Sequence, residues 1–359
     1  MNSRQPLPAC PVEPGLAPAL PVGPGAAARR RPALVALLAA VGAGAVLLLH
    51  QHTALAMIGL WSRSATFAHG FAVLPVVLYL CWRLRAPLLL AIAAPTAAPW
   101  RQRLAGVLLL VPLGLVWLLA SLVQAPVVMG YTLVLMVAAT VLGTLGWPAT
   151  RVLAFPLLYL LLAVPFGEVF IPTLIDFTAN FVVAALRLSG IPVYREQQLL
   201  SIPSGTWSVE AACSGLRYLI ASIALGTLYA YLSFHSLWRR LLFIGVALLL
   251  PLLANGLRAY GIVMLGHVSG MRLAVGVDHL LYGWLFFGLV CGLLFWCGSW
   301  WRQTAPPPVP VAEITGAPPL RPAVAGLLTC LALVACGPAL AGWSVAATFN
   351  WGLHHANVR

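Results

Sequence analysis

Apolar runs long enough to cross a bilayer recur along this chain, and they restrict its possible folds more than any other feature. They fall at about 33–50, 66–82, 104–123, 127–146, 149–164, 209–233, 239–262, 279–300 and 322–346. Each has, or nearly has, the roughly 17–25 residues that span a hydrocarbon core. Inside lipid only helices and closed barrels satisfy every backbone polar group. The expected fold is therefore an all-α polytopic bundle of about eight or nine transmembrane helices, with a small loop or hairpin on its outer face. Composition agrees: 62% of residues are hydrophobic and only 8% are charged, against about 25% in a soluble chain.

The net charge of +13 would suggest nucleic acid in a soluble domain. Here every basic residue is an arginine, and the arginines lie between the apolar segments. Membrane orientation accounts for them, and no nucleic-acid partner is expected. With the N-terminus inside, 13 arginines fall on the inner side and 7 on the outer side, as the positive-inside rule requires. Residues 1–32 read as a flexible cytoplasmic tail, 33–302 as the transmembrane domain, 303–322 as a Pro-rich linker, and 323–359 as a final helix and short outer tail. The longest outer connection runs from about Pro165 to Trp207. It holds an amphipathic piece around 171–189, then a turn at Pro203-Ser204-Gly205 between two short strands.

Three polar clusters interrupt the apolar second half. They are Glu210-Ala-Ala-Cys213-Ser214-Gly215-Leu216-Arg217, Asn255-Gly256-Leu257-Arg258 and Asp278-His279-Leu-Leu-Tyr282-Gly283-Trp284. At 1.5 Å per residue, Arg258 lies about 27 Å from the inner-interface Arg240, Cys213 about 33 Å from His235, and His279 about 35 Å from Arg302. Three helices thus carry Cys213, Arg258 and His279 to one outer level. Ser208 would cap the first helix, leaving Cys213 within its first two turns, where the dipole favours a thiolate. Glu210, Cys213, Ser214 and Arg217 would then share one helical face.

Each residue alone has a structural reading: a packed cysteine, a snorkelling arginine, a helix-start histidine. Together they suit acyl transfer, with a thiolate attacking a carbonyl, an imidazole moving protons and a guanidinium stabilising the oxyanion. Glu210, Ser214, Arg217 and Asn255 are auxiliary candidates. A second reading makes the chain a transporter or lipid-linked saccharide carrier whose arginines bind an anionic head group. A third makes it a non-catalytic export factor. No convincing internal repeat supports a transporter. The other six cysteines form no CxxC pair. His50, His52 and His69 read as solvated loop residues, and Glu168 as a residue that orients substrate or starts an interfacial helix. No metal or cofactor is required.

The three clusters, with Ala68-His69-Gly70 and Pro165-Phe166-Gly167-Glu168, resemble the exosortase/archaeosortase family over roughly residues 35–300. The bacterial exosortase A branch is the nearest match. The resemblance implies a transpeptidase-like cysteine protease of the bacterial inner membrane, with a site facing the periplasm. Its substrates would be exported proteins ending in a Pro-Glu-Pro motif, an apolar helix and a basic cluster, and its products would go to water or an amine acceptor. The resemblance gives Cys213 the nucleophile's place. Arg258 takes that of the family arginine and His279 that of the family histidine, which is arginine in some archaeal relatives. It also implies exopolysaccharide-producing Gram-negative hosts. Many exosortase A-like proteins continue into a longer C-terminal domain, whereas a linker, one helix and a short tail follow residue 300 here.

Overall fold

The computed structural model describes residues 26–94, 99–209, 213–270, 279–304 and 320–356. It is an all-α bundle with one small sheet. Its helices are α1 (Ala26–Leu49), α2 (Gln51–Arg63), α3 (Gly70–Arg83), α4 (Arg85–Ala93), α5 (Pro99–Leu122), α6 (Pro126–Leu145), α7 (Trp147–Val152) and α8 (Ala154–Tyr159). After them come α9 (Ile171–Leu188), strands β1 (Tyr194–Glu196), β2 (Leu199–Ile202) and β3 (Gly205–Ser208), then α10 (Leu216–Ser233), α11 (Leu237–Val268), α12 (His279–Ser299) and α13 (Leu320–Ala356). Among the described residues, seven helices are long and apolar enough to cross a membrane, or eight if the bent pair α3–α4 counts as one span. Large apolar side chains stand exposed on their outer surfaces, among them Leu48 at 72%, Leu78 at 70% and Leu285 at 75%. Water would not tolerate so continuous an apolar belt, but lipid does.

α6 is the central strut, with 67% of its span buried where the others reach at most 44%. α1, α5 and α13 pack around it. They approach closely where Gly106, Gly143 and Gly326 meet backbone to backbone, the small-residue contact that replaces a hydrophobic driving force in lipid. The apolar run at 149–164 is not one span. It breaks into α7, α8 and a 3-10 turn at Leu160–Ala163. Pro148 and Pro156 each fall in the first turn of a short helix, the position where a missing N–H costs nothing.

The end of that turn is pinned from outside. Trp61 Nε1 donates to Ala163 O at 2.9 Å, and His69 Nε2 to Leu162 O at 2.9 Å. His69 is therefore a half-buried anchor rather than a solvated loop residue. His50 is also buried, at 2% exposed, with Nδ1 3.2 Å from Val46 O. Of the three histidines only His52 is exposed. Replacing His69 by alanine orphans a half-buried carbonyl, so a loss of about 1–3 kcal/mol is expected. Equilibrium unfolding in detergent should show it, with His69→Gln losing less because its amide can still donate.

α9 is long enough to be counted as a span, yet its contacts make it part of an excursion at one end of the bundle. The chain leaves at Gly167, where a Cβ would lie 3.0 Å from Leu216 Cδ1 and 3.8 Å from Ile220 Cδ1. It returns at Cys213, beside the same start of α10. Between these points Ile175, Ala179, Val182, Val183 and Leu186 of α9 bury against Leu200 and Ile202 of β2 and Val263 of α11. The expected turn at Pro203-Ser204 joins β2 to β3, with Ile202 opposite Gly205. A third strand, β1, pairs antiparallel to β2.

Polar ties fix this cap. Arg195 bonds Asp176 at 2.6 Å and Asn180 at 2.5 Å, His267 Nδ1 is 2.9 Å from Ser204 Oγ, and the Ser189 and Tyr260 hydroxyls are 2.5 Å apart. The 32 residues of α11 extend about 48 Å. That exceeds a hydrocarbon core of about 30 Å, so its last turns are free to carry the cap.

Candidate active site

Cys213 does not lie inside α10; it has 3-10 geometry ahead of it. Ser208 ends β3 rather than capping α10, and α10 begins only at Leu216. The reason is Gly215, whose φ of +76° is in the left-handed region that a right-handed helix excludes and that glycine enters without steric cost. Cys213 and Ser214 therefore form a corner ahead of the helix and share no helical face with Arg217. Glu210, expected on that face, lies outside the described residues. Cys213 is half-buried. Ser214 is 4% exposed, and its Oγ accepts from Leu216 N at 3.4 Å.

The corner rests on α11. Asn255 Nδ2 donates to the Cys213 carbonyl oxygen at 2.8 Å and to Thr178 Oγ1 of α9 at 3.1 Å. A Cβ on Gly215 would lie 2.7 Å from Asn255 Cγ, so the glycine backbone sits directly on the amide. The Cys213 main chain is thus held against the Asn255–Arg258 segment of α11.

Arg258 lies three residues past Asn255, hence on the same face of α11. Its Cζ is 5.8 Å from the centroid of the Tyr218 ring, and Arg217 Cζ is 5.3 Å from that same centroid. Both distances fall within cation–π range. Tyr218 is 8% exposed and packs on Phe287 of α12, centroids 5.0 Å apart. Among the described residues neither guanidinium pairs with a carboxylate; the ion pair there is Arg195–Asp176. Two cations around one aromatic ring make this corner strongly electropositive, which attracts anions.

α12 completes the arrangement through Gly283. A methyl there would meet the Tyr218 hydroxyl and lie 3.7 Å from Arg258 Nη2. His279 starts α12 one turn earlier, and of this residue only the main chain is described. Glu168 is exposed and lines a separate cavity of about 680 Å3 with His52, Met57, Tyr131 and Phe166. Tyr218 and Thr178 escaped the sequence reading. An aromatic residue and a threonine within apolar helices look like core, and no spacing rule links either to a residue on another helix.

The bundle and its electropositive corner define an integral membrane protein of many helices, with a half-buried cysteine at one corner and two arginines around Tyr218. Residues 61–296 match the family described as transmembrane exosortase (Exosortase_EpsH), and the chain belongs to that family. The match runs from Trp61 in α2 to Trp296 in α12 and takes in all three polar clusters. No curated protein and no solved structure matches the chain. Family membership brings a membrane transpeptidase or protein-sorting role in general, on exported proteins that carry sorting signals.

Proposed function

We propose that the protein cleaves the C-terminal Pro-Glu-Pro-type sorting signal of exported proteins at the periplasmic face of the bacterial inner membrane. The observation that carries this is the Asn255 bond to the Cys213 carbonyl. It joins the motif holding the cysteine to the motif holding Arg258. Residues 33–302 would form the catalytic unit, with 303–322 a linker and 323–359 a final helix and short periplasmic tail. The excess of arginines on the Arg240 side supports a cytoplasmic N-terminus, which puts the cap and the cysteine outside.

In this mechanism the Cys213 thiolate attacks the carbonyl carbon of the scissile peptide. Arg258 stabilises the developing oxyanion. The C–N bond then breaks and His279 gives a proton to the leaving amine. A thioester on Cys213 remains, and an amine acceptor or water attacks it, re-forming the thiol as the sulfur leaves. Arg217 adds positive field, and the two arginines, which pair with no carboxylate among the described residues, suit the carboxylate of the substrate motif.

The same two arginines favour one other reading, an anionic-head-group carrier that needs no thiol. Trapping separates the two. Membranes with the enzyme and a tagged reporter ending in a Pro-Glu-Pro sorting tail are quenched in acid, and the Cys213 peptide is analysed by mass spectrometry. A hydroxylamine-labile acyl adduct of the reporter on Cys213 is expected. A shortened reporter with no adduct and full insensitivity to thiol alkylation would sink the mechanism. An untouched reporter beside abundant enzyme would favour the carrier.

A further inference from the structure

We propose that Asn255 is a positioning residue that keeps Cys213 and Arg258 in register, its amide nitrogen holding the Cys213 main chain and its amide oxygen holding Arg258 through one bound water. The proposal rests on the reading of Cys213 as nucleophile.

The hydrogen-bond inventory of one side chain leads to it. An asparagine amide has two N–H donors and one carbonyl acceptor. Both donors are used, on Cys213 O at 2.8 Å and Thr178 Oγ1 at 3.1 Å. Thr178 gives its own hydroxyl hydrogen to Leu174 O at 2.9 Å, so its oxygen is left to accept. The amide is thereby oriented, since a flip would set its oxygen against the Cys213 carbonyl. Asn255 is 4% exposed, and its Oδ1 is buried with no hydrogen-bond partner among the described residues. Arg258 Nε is buried and unpartnered in the same way.

An orphaned acceptor and an orphaned donor, three residues apart on one helix, line one cavity between α10, α11 and α12 together with Tyr218 and Phe287. The cavity holds about 10 Å3, near the smallest that admits a water molecule, roughly 10–15 Å3. A water there donates to Oδ1 and accepts from Nε, which meets both demands. The Nη groups of Arg258 stay available to the substrate.

No other residue type does both jobs. Leucine lacks donor and acceptor, glutamine displaces the amide by a methylene, and aspartate cannot donate to Cys213 until it is protonated. That last property gives a readout that a purely structural role would not move. Purified full-length enzyme in nanodiscs would process the sorting-tail reporter between pH 5.5 and 8, each variant being compared with wild type at the same pH. Asn255→Ala is expected to be at least about thirtyfold slower throughout. Asn255→Asp is expected to be as slow at pH 8, with the deficit shrinking at least about fivefold at pH 5.5.

A deficit under about threefold for Asn255→Ala, or one for Asn255→Asp that is flat with pH, overturns the positioning role. If Asn255→Ala fails to accumulate, the aspartate profile decides alone. A high-resolution structure with no water density between Oδ1 and Nε overturns the bridge. Cys213→Ala measured alongside separates the two failures: if it processes at the wild-type rate, the nucleophile reading is the one that falls.

Discussion

Cells carrying Cys213→Ala are expected to leave a sorting-tail reporter at full length while holding as much enzyme in the membrane as wild type. The loss of rate should be at least about 10⁴-fold, because removing a covalent nucleophile forfeits the whole two-step route and leaves only binding and oxyanion stabilisation. The stability half of this expectation comes from the fold. Cys213 is only half-buried, and its tie to α11 is made by its main-chain oxygen, which alanine keeps. Cys213→Ser should not restore processing, since a hydroxyl lacks both the polarisability and the accessible anion of a thiol. Blots of the reporter and of the enzyme measure both halves together. Normal processing by Cys213→Ala would show that the acyl chemistry is carried elsewhere.

Gly215→Ala is expected to damage both stability and activity, unlike Cys213→Ala. A left-handed φ of +76° costs a residue with a Cβ about 1–2 kcal/mol. The new methyl would also lie 2.7 Å from Asn255 Cγ and 2.8 Å from its Nδ2, and forced overpacking costs a further ~1–3 kcal/mol. The amide cannot retreat without releasing the Cys213 carbonyl. Reduced membrane abundance, a lower unfolding midpoint in detergent and loss of processing should therefore appear together. Gly215→Asn separates the causes. Asparagine tolerates the left-handed region but keeps the clash, so it should recover little if packing dominates. An alanine variant with wild-type unfolding and processing would mean the corner is far more pliable than its contacts indicate.

Much of this architecture is legible in the chain. The apolar runs become α1, α5, α6, α10, α11, α12 and α13. α6 and α12 end within a residue of expectation, while α1, α10, α11 and α13 miss at one end by six to ten residues. In lipid an apolar run must be helical, but its ends are set by local contacts. The turn at Pro203-Ser204 follows from local chemistry in the same way. The three polar clusters stand out because a charge in an apolar run is costly unless it has work to do, and the family match covers all of them.

The corner at Cys213–Gly215 is different. Its residues look like the first turns of a helix, and what removes them is a left-handed glycine seated on an asparagine about 40 residues further along the chain. The cap formed by α9 and the sheet, and the two arginines around Tyr218, likewise depend on contacts between segments far apart in sequence. Sequence alone therefore determined most of the apolar helices, the polar clusters that interrupt them and the family the chain belongs to, because solvation and local backbone preference act within a few residues. Only the tertiary structure decided how Cys213 is held and what surrounds Arg258, because hydrogen bonds and close packing between helices are set by the fold as a whole.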